Sequence, residues 1–142
     1  YRGYISLGVV EHRYEGPEPF LKEAYRVLSD DGVGLISVPY MHIIRTIKAK
    51  LGFYHGKVNG QEFYQYAYLD DDFSNILLKH RFRIIDRYTY GGEKGFSDEI
   101  KICKRICKWK YIGKWFRKKV LNSDDVRKKF GHMMLYIIQK DI

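Results

Sequence analysis

A chain of 142 residues and 17.0 kDa has room for one domain or for part of a larger one, and 45% hydrophobic content lets it bury a core, which excludes global disorder. No run approaches the roughly 20 apolar residues of a membrane-spanning helix, no signal-peptide pattern opens the sequence, and two cysteines cannot build a disulfide framework or a four-cysteine zinc site. The net charge of +9 is local: residues 101–129 hold twelve Lys and Arg against Asp124 and Asp125, and the remainder is nearly neutral.

The chain opens at Tyr1 inside an apolar run, and residues 4–10 read as a short buried strand, β-branched and almost free of charge. A polar stretch from Arg13 to Pro19 follows Glu11 and His12, and Pro19 suits the first turn of a helix, where its missing N–H is not needed. Phe20, Ala24 and Val27 recur at helical spacing with Leu21 and Leu28 beside them, until Ser29-Asp30-Asp31-Gly32 ends the helix. Residues 33–40 form a second buried strand, stopped by Pro39, which cannot donate to a central ladder.

Residues 41–51 read as a helix, and the rest of an aromatic insert, 41–67, as loop. Asp70 is placed to cap a helix carrying Phe73, Ile76, Leu77 and His80, with Asp71 and Asp72 at the positive end of its dipole. Capping accounts for these three acids without a metal, and no metal site is expected. Residues 83–90 form a third strand broken by Gly91-Gly92, and residues 132–140 a fourth. Between them lies a basic helical insert, 93–131. The order β-α-β-(insert)-α-β-(insert)-β predicts a single α/β domain over 1–142, with a parallel sheet and helices on its faces.

Three stretches together resemble one family. I-S-L-G-V-V-E-H (5–12), P-x-x-F-L-K-E-A-Y-R-V-L-S-D-D-G (17–32) and L-I-S-V-P-Y (35–40) are similar to the second half of the class I S-adenosylmethionine-dependent methyltransferases. L-x-x-D-F-S-x-x-L-x-x-x-R-F-R-I-I-D (69–86) resembles that family's last helix and sixth strand, and 132–140 falls where its antiparallel seventh strand would lie. Asp31-Gly32-Val33 departs from the family's usual Pro-Gly-Gly. The resemblance covers about half the chain and implies a Rossmann-like methyltransferase sheet, mostly parallel with an antiparallel last strand.

The family's cofactor loop is absent: the sequence has no Gly-x-Gly-x-Gly. In the family, glycines let backbone amides approach the cofactor and an acid accepts from the ribose. The chain therefore reads as strands four to seven without one to three, a partial domain that transfers a methyl group from S-adenosylmethionine only once a missing N-terminal half completes it. Alone it is expected to be inactive, with the 4–10 strand edge apolar, unpaired and prone to self-association.

The resemblance places Leu7, Gly8 and Val9 against the methionine part of the cofactor. Glu11 and His12 are candidates for acid–base work, and His12 also for a contact at the cofactor mouth. Tyr40, Met41, His42 and Arg45 face the unknown methyl acceptor, and Tyr54, His55, Tyr64, Tyr66 and Tyr68 either form a lid or acceptor pocket or are half-buried packing. Cys103 and Cys107 read as free thiols, consistent with a reducing, cytoplasmic compartment.

Ile102, Ile106, Trp109, Ile112, Phe116 and Val120, interleaved with lysines and arginines, give 101–119 the pattern of a basic amphipathic helix. It suits a lid over the active-site mouth, an anionic membrane surface, or nucleic-acid phosphates. The alternative function is accordingly a non-enzymatic α/β module that binds nucleic acid or anionic membrane through this helix.

Overall fold

The computed structural model describes residues 1–52, 65–92, 111–116 and 130–142. Within them β1 (Gly3–Leu7), β2 (Val33–Pro39), β3 (Phe82–Tyr90) and β4 (Met133–Lys140) form one sheet in the order β1-β2-β4-β3. The described helices are α1 (Glu18–Val27), α2 (Ile43–Lys50), α3 (Asp70–Lys79) and the short α4 (Ile112–Phe116). β1 runs parallel to β2, from Gly3 opposite Val33 to Leu7 opposite Ser37, and β4 runs antiparallel between β2 and β3. This is the α/β arrangement that the resemblance implies. Most of both inserts, including Tyr54, His55, Tyr64, Cys103 and Cys107, lies outside the described residues.

Strand bounds follow backbone chemistry more closely than hydropathy. The first strand stops at Leu7, not at Val10, because Gly8 takes φ +66, a left-handed conformation that glycine adopts without a Cβ clash. The Gly8 amide still reaches the Ser37 carbonyl at 3.1 Å, and then the chain closes a 3-10 turn over Val10–His12.

The core lies on one face of the sheet. Leu21, Ala24 and Leu28 form the buried stripe of α1, Phe73 and Leu77 that of α3, and both pack on Ile36, Val38, Tyr136 and Ile138. The helices that close the two crossovers share this face. The reason is handedness: β1 to β2 and β2 to β3 are parallel connections that step the same way across the sheet, so right-handed crossovers bring both helices to the same side. On the opposite face Ile5, Leu7, Val33 and Tyr88 remain exposed.

Asp70 departs from its expected role. Leu69 holds the N-cap position of α3 without a side-chain cap bond, and Asp70 is the first helical residue. Its carboxylate turns to the sheet instead, accepting from the Tyr136 hydroxyl at 3.0 Å and from Ser74 Oγ at 3.3 Å and pairing with Arg87 at 2.9 Å. A carboxylate can satisfy an amide of its own first turn or a distant hydroxyl and guanidinium, and here the charge-assisted partners hold it.

Candidate active site

The site residues gather at the carboxyl ends of β1 and β2, the edge where open α/β sheets bind ligands. Gly8 bends the chain out of β1. A Cβ added there would sit 3.4 Å from Glu11 Oε1 and 3.7 Å from Met133 Cε, so the bare backbone leaves a narrow cradle between the turn and β4. The 3-10 turn folds Glu11 inward, where its side chain is 2% exposed. Oε2 accepts no hydrogen bond from the described residues. Burial pushes the Glu11 carboxyl above its ordinary range, against the opposing pull of its backbone hydrogen bond and of His12. His12 Nε2 stands 3.9 Å from Glu11 Oε1, with the imidazole half-exposed.

A cavity of about 610 Å³ opens beside this turn, lined by Gly8, Val9, His12, Tyr14 and Phe20. Leu7 is absent from its lining and lies exposed on the face of the sheet opposite α1 and α3. Tyr14 and Phe20 were missed as site residues. The one available signal was positional, since the stretch after a strand's carboxyl end leads directly into α1.

The second group of candidates follows β2. Tyr40 is half-buried, and burial raises its hydroxyl above the ordinary value, with Asp70 and Asp71 adding to the effect. His42 is fully buried between the rings of Tyr40 and Phe130, at 6.5 and 6.1 Å. Arg45 donates to the Tyr40 carbonyl at 3.0 Å and meets His132 Nδ1 at 2.9 Å, so its guanidinium ties α2 to the ends of β2 and β4.

Tyr66, near the end of the aromatic insert, and Tyr68, just after it, lace the two groups together. The Tyr66 amide donates to the Glu11 carbonyl at 2.9 Å, and its hydroxyl to the Tyr14 carbonyl at 2.8 Å. Tyr68 forms an isolated parallel bridge with Tyr40 and packs against Phe73 at 5.0 Å, the ring planes tilted by 55°. Burial pushes the Tyr68 hydroxyl up to about 12. Tyr66 and Tyr68 thus hold the Glu11 turn against the end of β2. Among the described residues no three His, Cys, Asp or Glu side chains converge as a metal set.

The bare backbone of Gly8 lines the cavity, while the Glu11 oxygen that no described residue hydrogen-bonds is buried outside its lining. No residue here supplies the Gly-rich loop that would hold the adenosine.

By sequence the chain matches no family model and no curated protein. By fold it is similar to several solved structures. A Listeria monocytogenes protein described as an S-adenosylmethionine-dependent methyltransferase superposes with a TM-score of 0.56 at 13% identity, over 99% of this chain and 61% of that one. A chain of the complex between the Haloferax volcanii Trm112 methyltransferase activator and a methyltransferase gives 0.55 at 9%, over 99% of this chain and 54% of its own. Mycolic acid cyclopropane synthase CmaA1, solved with SAH and CTAB, gives 0.53 at 14%, over 97% and 55%. The chain spans little more than half the length of each. With the strand order, the reversed β4 and these superpositions in agreement, the chain has the class I S-adenosylmethionine-dependent methyltransferase fold.

Proposed function

We propose that the chain is the C-terminal half of a methyltransferase catalytic domain, which moves a methyl group from S-adenosylmethionine to an O, N or C nucleophile by in-line displacement. The observation that carries this reading is the sheet order β1-β2-β4-β3, with β1 ending in a glycine turn that holds Glu11 out of water. The cofactor supplies an electrophilic methyl group on a sulfonium sulfur. Gly8 and Val9 line the place for its methionine end, with Leu7 fixing the strand from which the turn departs. His12, at the cavity wall, accepts the proton that the acceptor releases, and Glu11 orients the imidazole. Tyr40 and Met41 stand on the acceptor side, with His42 packed beneath them and Arg45 holding the Tyr40 carbonyl. Alignment and exclusion of water are the larger contribution to such a displacement.

The adenosine and ribose are then held by an N-terminal half. Each hydrogen bond to a charged group is worth about 1.5–3 kcal/mol. Two missing contacts weaken a micromolar site to about the millimolar range. Calorimetric titration of S-adenosylmethionine into the 142-residue chain is expected to give a Kd of about 1 mM or weaker, and joining an N-terminal half with a Gly-rich loop is expected to restore about micromolar affinity. Micromolar binding by the chain alone overturns the half-domain reading. Failure of the joined form to bind or to transfer methyl overturns the methyltransferase reading.

A further inference from the structure

The helices α1 and α3 turn their apolar stripes to the sheet, but α2 does the reverse. No residue of α2 is buried. Ile43, Ile47 and Leu51, spaced four apart along one stripe, are 59%, 51% and 68% exposed. What fixes the helix is polar: Arg45 reaches the Tyr40 carbonyl and His132, and Thr46 Oγ1 donates to the Met41 carbonyl at 3.3 Å. An amphipathic helix anchored through its polar side presents its apolar side outward. Lys48 and Lys50 stand in its last turn, and residues 41–52 contain three basic residues and no acid.

We propose that α2 docks the protein on an anionic lipid bilayer, with Ile43, Ile47 and Leu51 entering the boundary between headgroups and acyl chains. Basic residues beside an exposed apolar stripe are the composition of helices that lie in a membrane interface. The lysines match the negative surface potential of anionic lipids, and the net charge of +9 adds a long-range attraction. Nucleic acid is the poorer match. Phosphate recognition uses basic and polar groups, with aromatic rings for stacking, and two isoleucines and a leucine gain nothing from it. The same composition recurs at α4, where Tyr111, Ile112 and Trp115 are exposed beside Lys114. The helix is only about 12 Å long at 1.5 Å per residue, so the docking is reversible and depends on both the stripe and the charge.

Vesicle co-sedimentation of the whole chain tests the proposal. Vesicles of phosphatidylcholine with about one third phosphatidylserine are expected to bind at least tenfold more tightly than pure phosphatidylcholine, with binding that falls as salt rises. The double variant Ile43→Ser/Ile47→Ser is expected to lose at least tenfold of that binding with an unchanged circular dichroism spectrum, since both side chains are exposed. Should that variant lose helix, Ile47→Trp gives the second reading, an additional blue-shifted emission when anionic vesicles are added. Undiminished binding by the folded double variant, equal binding to neutral vesicles, no shift from Ile47→Trp, or retention of an oligonucleotide with no vesicle binding each overturns the proposal.

Discussion

The hydroxyl of Tyr136, in the middle of β4, donates to Oδ1 of Asp70 at the start of α3 across 3.0 Å. This bond joins the sheet to the helix that covers it, 66 residues apart in sequence. Arg87 and Ser74 complete the cluster around the same carboxylate. Phe73 packs against the Tyr136 ring at 5.1 Å with the planes tilted by 47°, so the polar contact and the aromatic packing fix one geometry.

Tyr136→Phe keeps the ring and removes the donor. Asp70 retains Arg87 and Ser74, so the expected loss is about 1.5–3 kcal/mol, that of one hydrogen bond to a charged group. Urea unfolding at neutral pH measures it, and an unchanged midpoint would leave the hydroxyl without a structural role.

The same residue shapes the alkaline limb. Burial raises the Tyr136 hydroxyl far above its ordinary value, with Asp70 adding to the effect, and burial raises Tyr68 up to about 12. Both groups hold their protons more tightly in the folded state. Their contribution is present below the unfolded tyrosine value of about 10 and is lost as pH rises from there through the folded values. Stability is expected to fall above about pH 10, with a shallower fall in Tyr136→Phe and Tyr68→Phe. Unfolding midpoints measured between pH 8 and 12 check this, and parallel curves for wild type and both variants would contradict it.

Much of this architecture was legible. The apolar runs 33–40 and 132–140 and the Glu-His turn located the strands, and the resemblance marked the last one as the antiparallel seventh. The missed features depend on geometry that local sequence does not encode. The end of β1 rests on the left-handed backbone of Gly8, while Val9 and Val10 keep the hydropathy of a strand. Asp70 looks like a cap because caps are local, and nothing near it signals Tyr136. Tyr14 and Phe20 reach the cavity only because the Val10–His12 turn folds the polar stretch back beside Gly8.

Glu11 stores an electrostatic cost in the site. Burial raises its carboxyl, so the folded state keeps its proton to higher pH than the unfolded chain. Its protonated form supports folding, and stability declines as pH climbs from the unfolded carboxylate value through the raised folded one. Glu11→Gln removes that titration and is expected to be the more stable protein at pH 8, with the difference shrinking toward pH 4. Unfolding titrations at both pH values decide it, and a variant less stable at pH 8 would mean that the Glu11 charge is compensated.

Gly34 faces a packing limit. A Cβ at this position in β2 would lie 2.8 Å from Ile138 Cγ1, directly across the β2–β4 pair. Both atoms sit on the covered face under fully buried neighbours, which leaves Ile138 no free direction in which to yield. Gly34→Ala is expected to cost about 1–3 kcal/mol through overpacking, despite alanine's better backbone propensity. Thermal or urea unfolding reads the loss, and a neutral or stabilised variant would show that the strands separate without penalty.

The edge strand β1 supplies the last prediction. Among the described residues it pairs only with β2, and its other side offers backbone donors and acceptors to any extended chain. Ile5 is 68% exposed, and Leu7 and Val33 extend the same apolar patch on the face opposite α1 and α3. Neither proline nor lysine interrupts residues 3–7, the devices that proteins use to discourage pairing at an edge. The 142-residue chain is therefore expected to self-associate with rising concentration. Ile5→Lys places a charge on the patch without touching the core, so it is expected to leave unfolding within about 0.5 kcal/mol of wild type. The same change is expected to weaken association at least tenfold, because a pair related by symmetry would bring like charges together at the shared edge. Sedimentation velocity over a hundredfold concentration range measures the effect. A wild-type chain that stays monomeric throughout, or a variant that associates as strongly, would show that the edge of β1 is already protected.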